Sequence, residues 1–285
     1  MIYVSSACVR HEKIANSVEA LALAGFLNIE LSGGTVYYPS LEEDLLRLKQ
    51  KYGLNYLLHN YFPPPPEDFI LNLASLDDDI YRMTITHYLK ALDLSRKLGA
   101  SKFGLHAGYL INVHASEVGK KIMFSVLNDR TMALERFCEG FLRLKSEAVN
   151  VELYVENNVL SATNARTYYG QRPFMLLDYE GYLELQRHVE INVLLDVAHL
   201  RVTATSLGLN FEDQLGCMLP LTDYVHLSDN DGAHDQNLCF SRDSALLKIL
   251  KRYNLCSKTL TIETYAPLEA VSTSLQVLKD EMGLD

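Results

Sequence analysis

The sequence predicts an α/β protein folded as a closed (β/α)8 barrel, and two observations carry this prediction. Eight short runs rich in β-branched and apolar residues recur along the chain, and segments of helical periodicity lie between them. Alternation of strand and helix is typical of parallel βαβ units. Eight such units fit one closed barrel, which takes about 250 residues. We therefore expect residues 1–285 to form a single domain.

The predicted strands are nearly continuous apolar runs, as expected when both faces of a sheet are covered. They read IYVS from residue 2, FLNIEL from 26, LNYLLH from 54, KFGLH from 102, VELYVE from 151, INVLLD from 191, DYVHL from 223 and TLTIE from 259. An open, doubly wound sheet is the alternative architecture. Because no GxGxxG motif follows the first strand, the dinucleotide-binding form of that sheet is excluded.

The segments between the strands show the spacing of amphipathic helices. In LDDDIYRMTITHYLKALDLSRKLG, the apolar residues Ile80, Met83, Leu94 and Leu98 are expected near one face, and Gly99 is the expected end of the helix. The segment NYFPPPPEDF interrupts this pattern. Four consecutive prolines exclude helix and sheet pairing there, so we expect a stiff, extended loop.

Composition and charge narrow the class of protein. Hydrophobic residues make up 48% of the chain and charged residues 22%, which is typical of a globular protein. The net charge of −10 differs from the positive charge that proteins binding nucleic acid or an anionic membrane surface usually carry. We find no run near the roughly 18 apolar residues that a membrane span requires, so no membrane association is expected.

The cysteine pattern disfavours both a disulfide framework and a thiolate zinc site. The five cysteines are scattered and form no CxxC pair. The first residues, MIYVSSACVR, lack the basic and long apolar regions of a signal peptide. We therefore expect reduced thiols and a cytoplasmic location.

Ionisable residues stand at the ends of seven of the eight predicted strands. These are Glu30, His59, His106, Glu156, Asp196, His226 and Glu263. One such residue is usually an ordinary rim residue. A closed barrel, however, brings the carboxyl ends of its strands to one mouth, where the active site lies. The recurrence at successive repeats therefore predicts a functional site.

The composition of this set predicts a divalent metal ion. Converging carboxylates repel one another unless a cation lies between them. Four of the seven residues would be enough to bind one ion. Two Glu, one Asp and one His offer mostly oxygen ligands, which suit Mn²⁺ or Mg²⁺ and also admit Co²⁺ or Zn²⁺.

The order of the strand-end motifs resembles the xylose isomerase-like TIM-barrel superfamily over essentially the whole chain. The motifs are LLHNY, LHAG, VENN, LLDVAHL, VHLSDNDG and TIET. That superfamily contains endonuclease IV-type enzymes and many sugar and sugar-phosphate isomerases and epimerases. The resemblance implies a closed barrel with one four-ligand metal site, whose ligands here are Glu156, Asp196, His226 and Glu263.

The resemblance also implies further roles and shows two departures. His199 matches a residue that contacts substrate, and His59, His106 and Asp235 match ligands of a second metal position in the endonuclease branch. The endonuclease pattern has a histidine where this chain has Asn237. Some epimerases carry an arginine shortly after the metal-binding histidine, and the loop after His226 has none.

These observations favour a divalent-metal-dependent sugar or sugar-phosphate isomerase or epimerase. In that hypothesis Glu156 and Glu263 stand on opposite sides of a carbon next to a carbonyl, and proton abstraction gives an enediolate. His199 would bind a substrate oxygen. Glu30, Arg166 and Arg201 are candidate substrate-binding residues.

Two alternatives remain open. One is an endonuclease IV-like, metal-dependent phosphodiesterase acting on abasic DNA, which the acidic charge and Asn237 disfavour. The other is a non-catalytic carbohydrate-binding barrel. The expected partner is a small carbohydrate. The sequence leaves a homo-oligomeric state as a further alternative, since enzymes of this kind are often symmetric assemblies.

Overall fold

The computed structural model describes residues 1–67, 69–117 and 120–284 and confirms the closed barrel. All eight strands run parallel. Each strand pairs with its neighbour in the chain, and the first closes on the last. The strands are β1 (Ile2–Ser5), β2 (Asn28–Leu31), β3 (Asn55–His59), β4 (Lys102–His106), β5 (Glu152–Glu156), β6 (Asn192–Asp196), β7 (Tyr224–Leu227) and β8 (Thr259–Ile262).

Helices follow the strands and cover the outside of the barrel. They are α1 (Ile14–Leu23), α2 (Leu41–Tyr52), α3 (Asp78–Leu98), α4 (Arg130–Glu147), α5 (Ala162–Thr167), α6 (Tyr179–Gln186), α7 (Val197–Leu207), α8 (Phe211–Met218), α9 (Ala245–Leu250) and α10 (Leu268–Met282). None of these described helices is both long and apolar enough to cross a bilayer.

Helix α3 ends where its sequence predicts, and Leu94 and Leu98 are buried as expected, but Met83 is not. Gly99 takes the left-handed conformation that closes the helix, with φ of 68°. Met83, expected in the buried stripe, is 41% exposed. In the first half of the helix the buried side chains include Tyr81, Ile85 and Tyr88. Met83 follows Tyr81 by two residues, which is about 200° around the helix axis.

The proline-rich segment after β3 is a loop, as its sequence predicts. The described residues between Asn60 and Asp77 contain neither helix nor strand. Asp68, within this segment, lies outside the described residues.

Alternation along the strands divides the barrel into an outer core and an inner column. Outward side chains pack against the helices and include Val4, Ile29, Leu58, Val225 and Ile262. Inward side chains form a separate apolar layer inside the barrel, made of Tyr3, Leu57, Tyr154, Leu194 and Tyr224. Above that layer, toward the carboxyl ends of the strands, the inward positions are polar or ionisable.

Candidate active site

A cavity of about 850 Å³ opens at the carboxyl ends of the strands. The ionisable side chains that line it are Arg10, His59, His106, Lys120, Lys121, Glu156, His199, His234, Asp235 and Glu263. Its volume is in the range of ligand pockets, about 300–1,000 Å³. The carboxyl ends of the strands are also the end of the barrel at which active sites of this fold are found.

Glu156 lies at the centre of the cavity floor and is fully buried. Its Oε2 lies 2.7 Å from Nε2 of His59 and 3.2 Å from Nδ1 of His106. Its Oε1 lies 3.4 Å from Nδ1 of His226. Burial alone would raise the pKa of Glu156, but the charges of His106 and His59 and the hydrogen bond from His59 hold it well below its ordinary value.

The four residues expected to bind a metal ion lie together around Nδ1 of His226. That atom is 3.2 Å from Oε2 of Glu263. Asp196, His226 and Glu263 each offer a ligand atom, and these atoms lie within 4.8 Å of one another. Burial opposes protonation of His226, but Glu30, Glu156 and Glu263 outweigh this effect and hold its pKa well above the ordinary value.

This arrangement fits a cation. Oε1 of Glu156 and Nδ1 of both His106 and His226 are buried, yet among the described residues they have no partner in hydrogen-bond geometry. Carboxylate oxygens and imidazole nitrogens are the donors that Mn²⁺ and Zn²⁺ accept. Binding of an ion at this place stays a prediction.

The three-residue spacing of Asp196 and His199 has a local structural cause. Asp196 ends β6 and caps α7, because its Oδ1 accepts the backbone N–H of His199 at 2.7 Å. Asn157 holds the same strand end, since its Oδ1 accepts the N–H of Asp196 at 2.8 Å. Burial, followed by the charge of Glu156, raises the pKa of Asp196 to about 6 against the opposing charge of His199.

Backbone contacts fix the orientation of the His199 ring. Nδ1 donates to the carbonyl oxygen of Asn157 at 3.0 Å, and Nε2 lies 3.4 Å from Oδ2 of Asp235. Burial opposes the charged form of His199, but Asp196 and Asp235 hold its pKa well above the ordinary value.

The structure divides the residues that were expected to share a second metal position. His59 and His106 both contact Glu156, and His59, Glu156 and His226 form one group of close ligand atoms. Asp235 lies by His199 instead. In the described part of the chain, Asp235 joins none of the close ligand groups.

The comparisons with known proteins agree with this architecture. A family model described as a xylose isomerase-like TIM barrel matches residues 18–281. The chain belongs to this family.

Three similar proteins cover most of the chain. A D-tagatose 3-epimerase-like protein superposes with a TM-score of 0.73 at 18% identity, over 99% of this chain and 97% of that one. Endonuclease IV from Thermus thermophilus superposes with a TM-score of 0.62 at 18% identity, over 99% and 98% of the two chains. An uncharacterized protein of Methanocaldococcus jannaschii is 24% identical over 225 residues, which cover 75% of this chain and 76% of its own length. At these identities the structural matches support the fold alone.

Glu30, an expected substrate contact, lies below the cavity instead. It is fully buried under His226, and the described lining of the cavity does not include it. Its Oε2 accepts hydrogen bonds from the hydroxyls of Tyr224 and Thr261, the latter at 2.8 Å. The physical reason is strand register: Glu30 is level with Leu57, two residues before the end of β3.

Arg201 and Arg166, the other expected substrate contacts, also lie away from the described cavity lining. Arg201 holds the loop after β7, because its Nη1 donates to the carbonyl oxygen of Asn230 at 2.5 Å and lies 3.4 Å from Oδ1 of Asp229. Arg166 is exposed on α5. The cavity reaches that helix at Thr163 and Asn164, and its described lining does not extend to Arg166.

The cavity also has polar residues that sequence reasoning did not select. Asn60 is 2% exposed and lines the cavity. Its Oδ1 accepts the hydroxyl of Tyr88 at 2.7 Å, and its Nδ2 has no partner among the described residues. Lys120 and Lys121 come from the long loop after β4. Asn60 follows His59 directly, so its position at a strand end was the available signal; the loop lysines had none.

Proposed function

We propose that this protein is a divalent-metal-dependent isomerase or epimerase that acts on a sugar or a sugar phosphate. The observation that carries the proposal is the pair Glu156 and Glu263 at the cavity floor. Both line the cavity, and their carboxylates approach the same atom, Nδ1 of His226, at 3.4 and 3.2 Å. Two carboxylates beside one substrate position suit removal of a proton and return of another.

In this proposal Glu156, Asp196, His226 and Glu263 hold the ion, with Mn²⁺ or Mg²⁺ expected and Zn²⁺ or Co²⁺ also compatible with the ligands. When bound, the ion would polarise a substrate carbonyl and so acidify the adjacent C–H bond. Glu156 has a lowered pKa despite its burial, so it is ionised at neutral pH and can accept that proton. For a proton to return from the opposite side, Glu263 would enter the cycle protonated and Glu156 would leave it protonated, and proton exchange with water in the open cavity would restore both.

His199 and the cavity rim would orient the substrate. The bond from Nδ1 of His199 to Asn157 directs Nε2 toward Asp235, and both side chains line the cavity, where Nε2 would donate to a substrate oxygen. Arg10, Lys120 and Lys121 add positive charge at the rim. Such charge suits a phosphorylated substrate.

A second candidate is a phosphodiesterase that acts on abasic DNA. The group of His59, His106 and Glu156 supports it, because these residues offer further metal ligands. Two observations disfavour it. Asn237 lies in the cavity where an imidazole would be required, and the net charge of −10 opposes binding of a polyanion.

Metal content and hydrogen exchange test the proposal. Elemental analysis of the wild type beside Glu156→Gln should show about one bound divalent ion that the variant loses. In D₂O, the wild type should exchange a C–H proton of at least one member of a panel of ketoses and ketose phosphates. Incision of abasic DNA without such exchange would favour the second candidate. Bound carbohydrate without exchange or incision would indicate a non-catalytic carbohydrate-binding barrel.

A further inference from the structure

A carboxylate lies directly behind the expected metal-binding histidine. Nε2 of His226 lies 3.0 Å from Oε1 of Glu30 and 3.1 Å from Oε2. Both side chains are fully buried. Glu30 lies on β2 and His226 on β7, so the contact exists only in the closed barrel.

The direction of this hydrogen bond determines which ring nitrogen of His226 carries a proton. An ionised carboxylate only accepts hydrogen bonds, so Nε2 of His226 must carry the proton and donate it to Glu30. Nδ1 lies on the other side of the ring, toward Glu156 and Glu263, and would present its lone pair to an ion bound there. The hydroxyls of Tyr224 and Thr261 also donate to Oε2 of Glu30, which is the pattern expected of an ionised carboxylate.

Two hydroxyls hold the carboxylate in this orientation. Tyr224 and Thr261 both donate to Oε2 of Glu30. Both residues are fully buried, and they lie on β7 and β8. Glu30 therefore has donors from two strands besides its contact with His226, and its carboxylate is fixed by the barrel wall.

We propose that Glu30 is a positioning residue that fixes His226 as a metal ligand through Nδ1 and raises the affinity of the site for a divalent ion. Carboxylate–histidine–metal arrangements act in this way, because the outer carboxylate fixes the tautomer and increases the basicity of the ligand nitrogen. This inference rests on the proposed metal site, and it replaces the expected contact of Glu30 with substrate.

Metal affinity of Glu30→Gln tests the proposal. The substitution keeps the size of the side chain but removes its charge. We expect the dissociation constant for Mn²⁺ or Zn²⁺, measured by competition with a chelator, to rise about 10- to 100-fold. Glu152→Gln is the matched control, since Glu152 lies at the opposite end of the barrel beside Lys102, and its metal affinity should equal that of the wild type. Tyr224→Phe keeps the carboxylate and should lose much less affinity than Glu30→Gln.

A second measurement uses the wild type and does not depend on folding of the variant. Nitrogen-15 NMR of the Zn²⁺-loaded protein should show His226 protonated at Nε2 and bound through Nδ1. Protonation at Nδ1 would overturn the inference, as would equal metal affinity of Glu30→Gln and wild type.

These outcomes separate the inference from the proposed function. A wild type that binds the ion but exchanges no ketose proton contradicts the proposed reaction and leaves the role of Glu30 intact. A wild type that binds no divalent ion contradicts both.

Discussion

His59 contacts Glu156 across the barrel, with Nε2 of His59 2.7 Å from Oε2 of the carboxylate. Space for the ring depends on the neighbouring strand, where Gly104 is paired with His59. A Cβ atom at Gly104 would lie 2.8 Å from Cδ2 of His59 and 2.7 Å from Cδ2 of Leu194. The contact therefore requires a residue without a side chain at position 104.

Gly104→Ala should consequently displace His59 from Glu156. The methyl group of Leu194 can move aside, but the imidazole ring must shift as a whole. We expect a loss of about 1–3 kcal/mol in the free energy of unfolding, which is typical of overpacking. Urea denaturation measures this loss.

The control for this substitution is Gly216→Ala in α8. The added methyl group there meets only the hydroxyl of Tyr253, at 3.9 Å. Alanine favours a helix over glycine, so this variant should be as stable as the wild type or more stable. Equal stability of Gly104→Ala and wild type would contradict the packing argument.

Glu263→Gln should abolish most of the proposed proton exchange. The side chain lines the cavity and lies 3.2 Å from Nδ1 of His226. A glutamine cannot accept or deliver the proton, so substrate C–H exchange in D₂O should fall by about 10²–10⁴-fold. Glu269→Gln, an exposed residue in the first turn of α10, should exchange at the wild-type rate. Wild-type exchange in Glu263→Gln would remove this residue from the mechanism.

Addition of a divalent ion should stabilise the metal-free protein. A ligand that binds only the folded state adds about 1.4 kcal/mol for each tenfold excess of its concentration over the dissociation constant. Thermal unfolding followed by circular dichroism with increasing Mn²⁺ should therefore show a rising midpoint. Asp196→Asn should show a much smaller rise, whereas Asp213→Asn, exposed on α8, should behave as the wild type. A midpoint that does not respond to any divalent ion would contradict the metal site.

His87 should make stability depend on pH independently of the active site. Burial, followed by the charge of Lys90, lowers the pKa of His87 from 6.5 to about 4. Below pH 6.5 the unfolded chain binds a proton at this residue that the folded protein does not bind. The free energy of unfolding therefore decreases as the pH is lowered from 6.5 to about 4. Between pH 6.5 and pH 5 this amounts to about 2 kcal/mol.

Glutamine at position 87 should remove this dependence. When the pH is lowered from 6.5 to 5, the free energy of unfolding of His87→Gln should fall by about 2 kcal/mol less than that of the wild type, as measured by urea denaturation. His188→Gln replaces an exposed histidine and should follow the wild-type curve. Parallel curves for His87→Gln and the wild type would contradict the assignment.

Much of the fold could be predicted because the relevant information is local. Strand runs and the glycine that ends α3 follow from residue type and from spacing over a few positions. The exposure of Met83 in α3 could not be predicted in the same way. Met83 is as apolar as the residues of the buried stripe, and its exposure depends on how the helix is rotated against the barrel.

The candidate site was predictable to the extent that strand ends identify it. His59, His106, Glu156 and Glu263 all line the cavity. The positions of Arg166 and Arg201 outside the described cavity lining could not be predicted, because the direction of a side chain on a helix or loop depends on contacts with distant residues. Arg201 is held by the carbonyl oxygen of Asn230, a contact that its position after His199 does not reveal.

The sequence by itself determined which strands form and which ionisable residues stand near their ends, because strand formation and side-chain alternation are properties of neighbouring residues. Only the tertiary structure decided how deep each of those residues lies. Glu30 and His59 both stand near strand ends, but the hydrogen-bond register between β2 and β3 sets Glu30 level with Leu57. His59 therefore faces the cavity, while Glu30 lies one layer below it, behind His226.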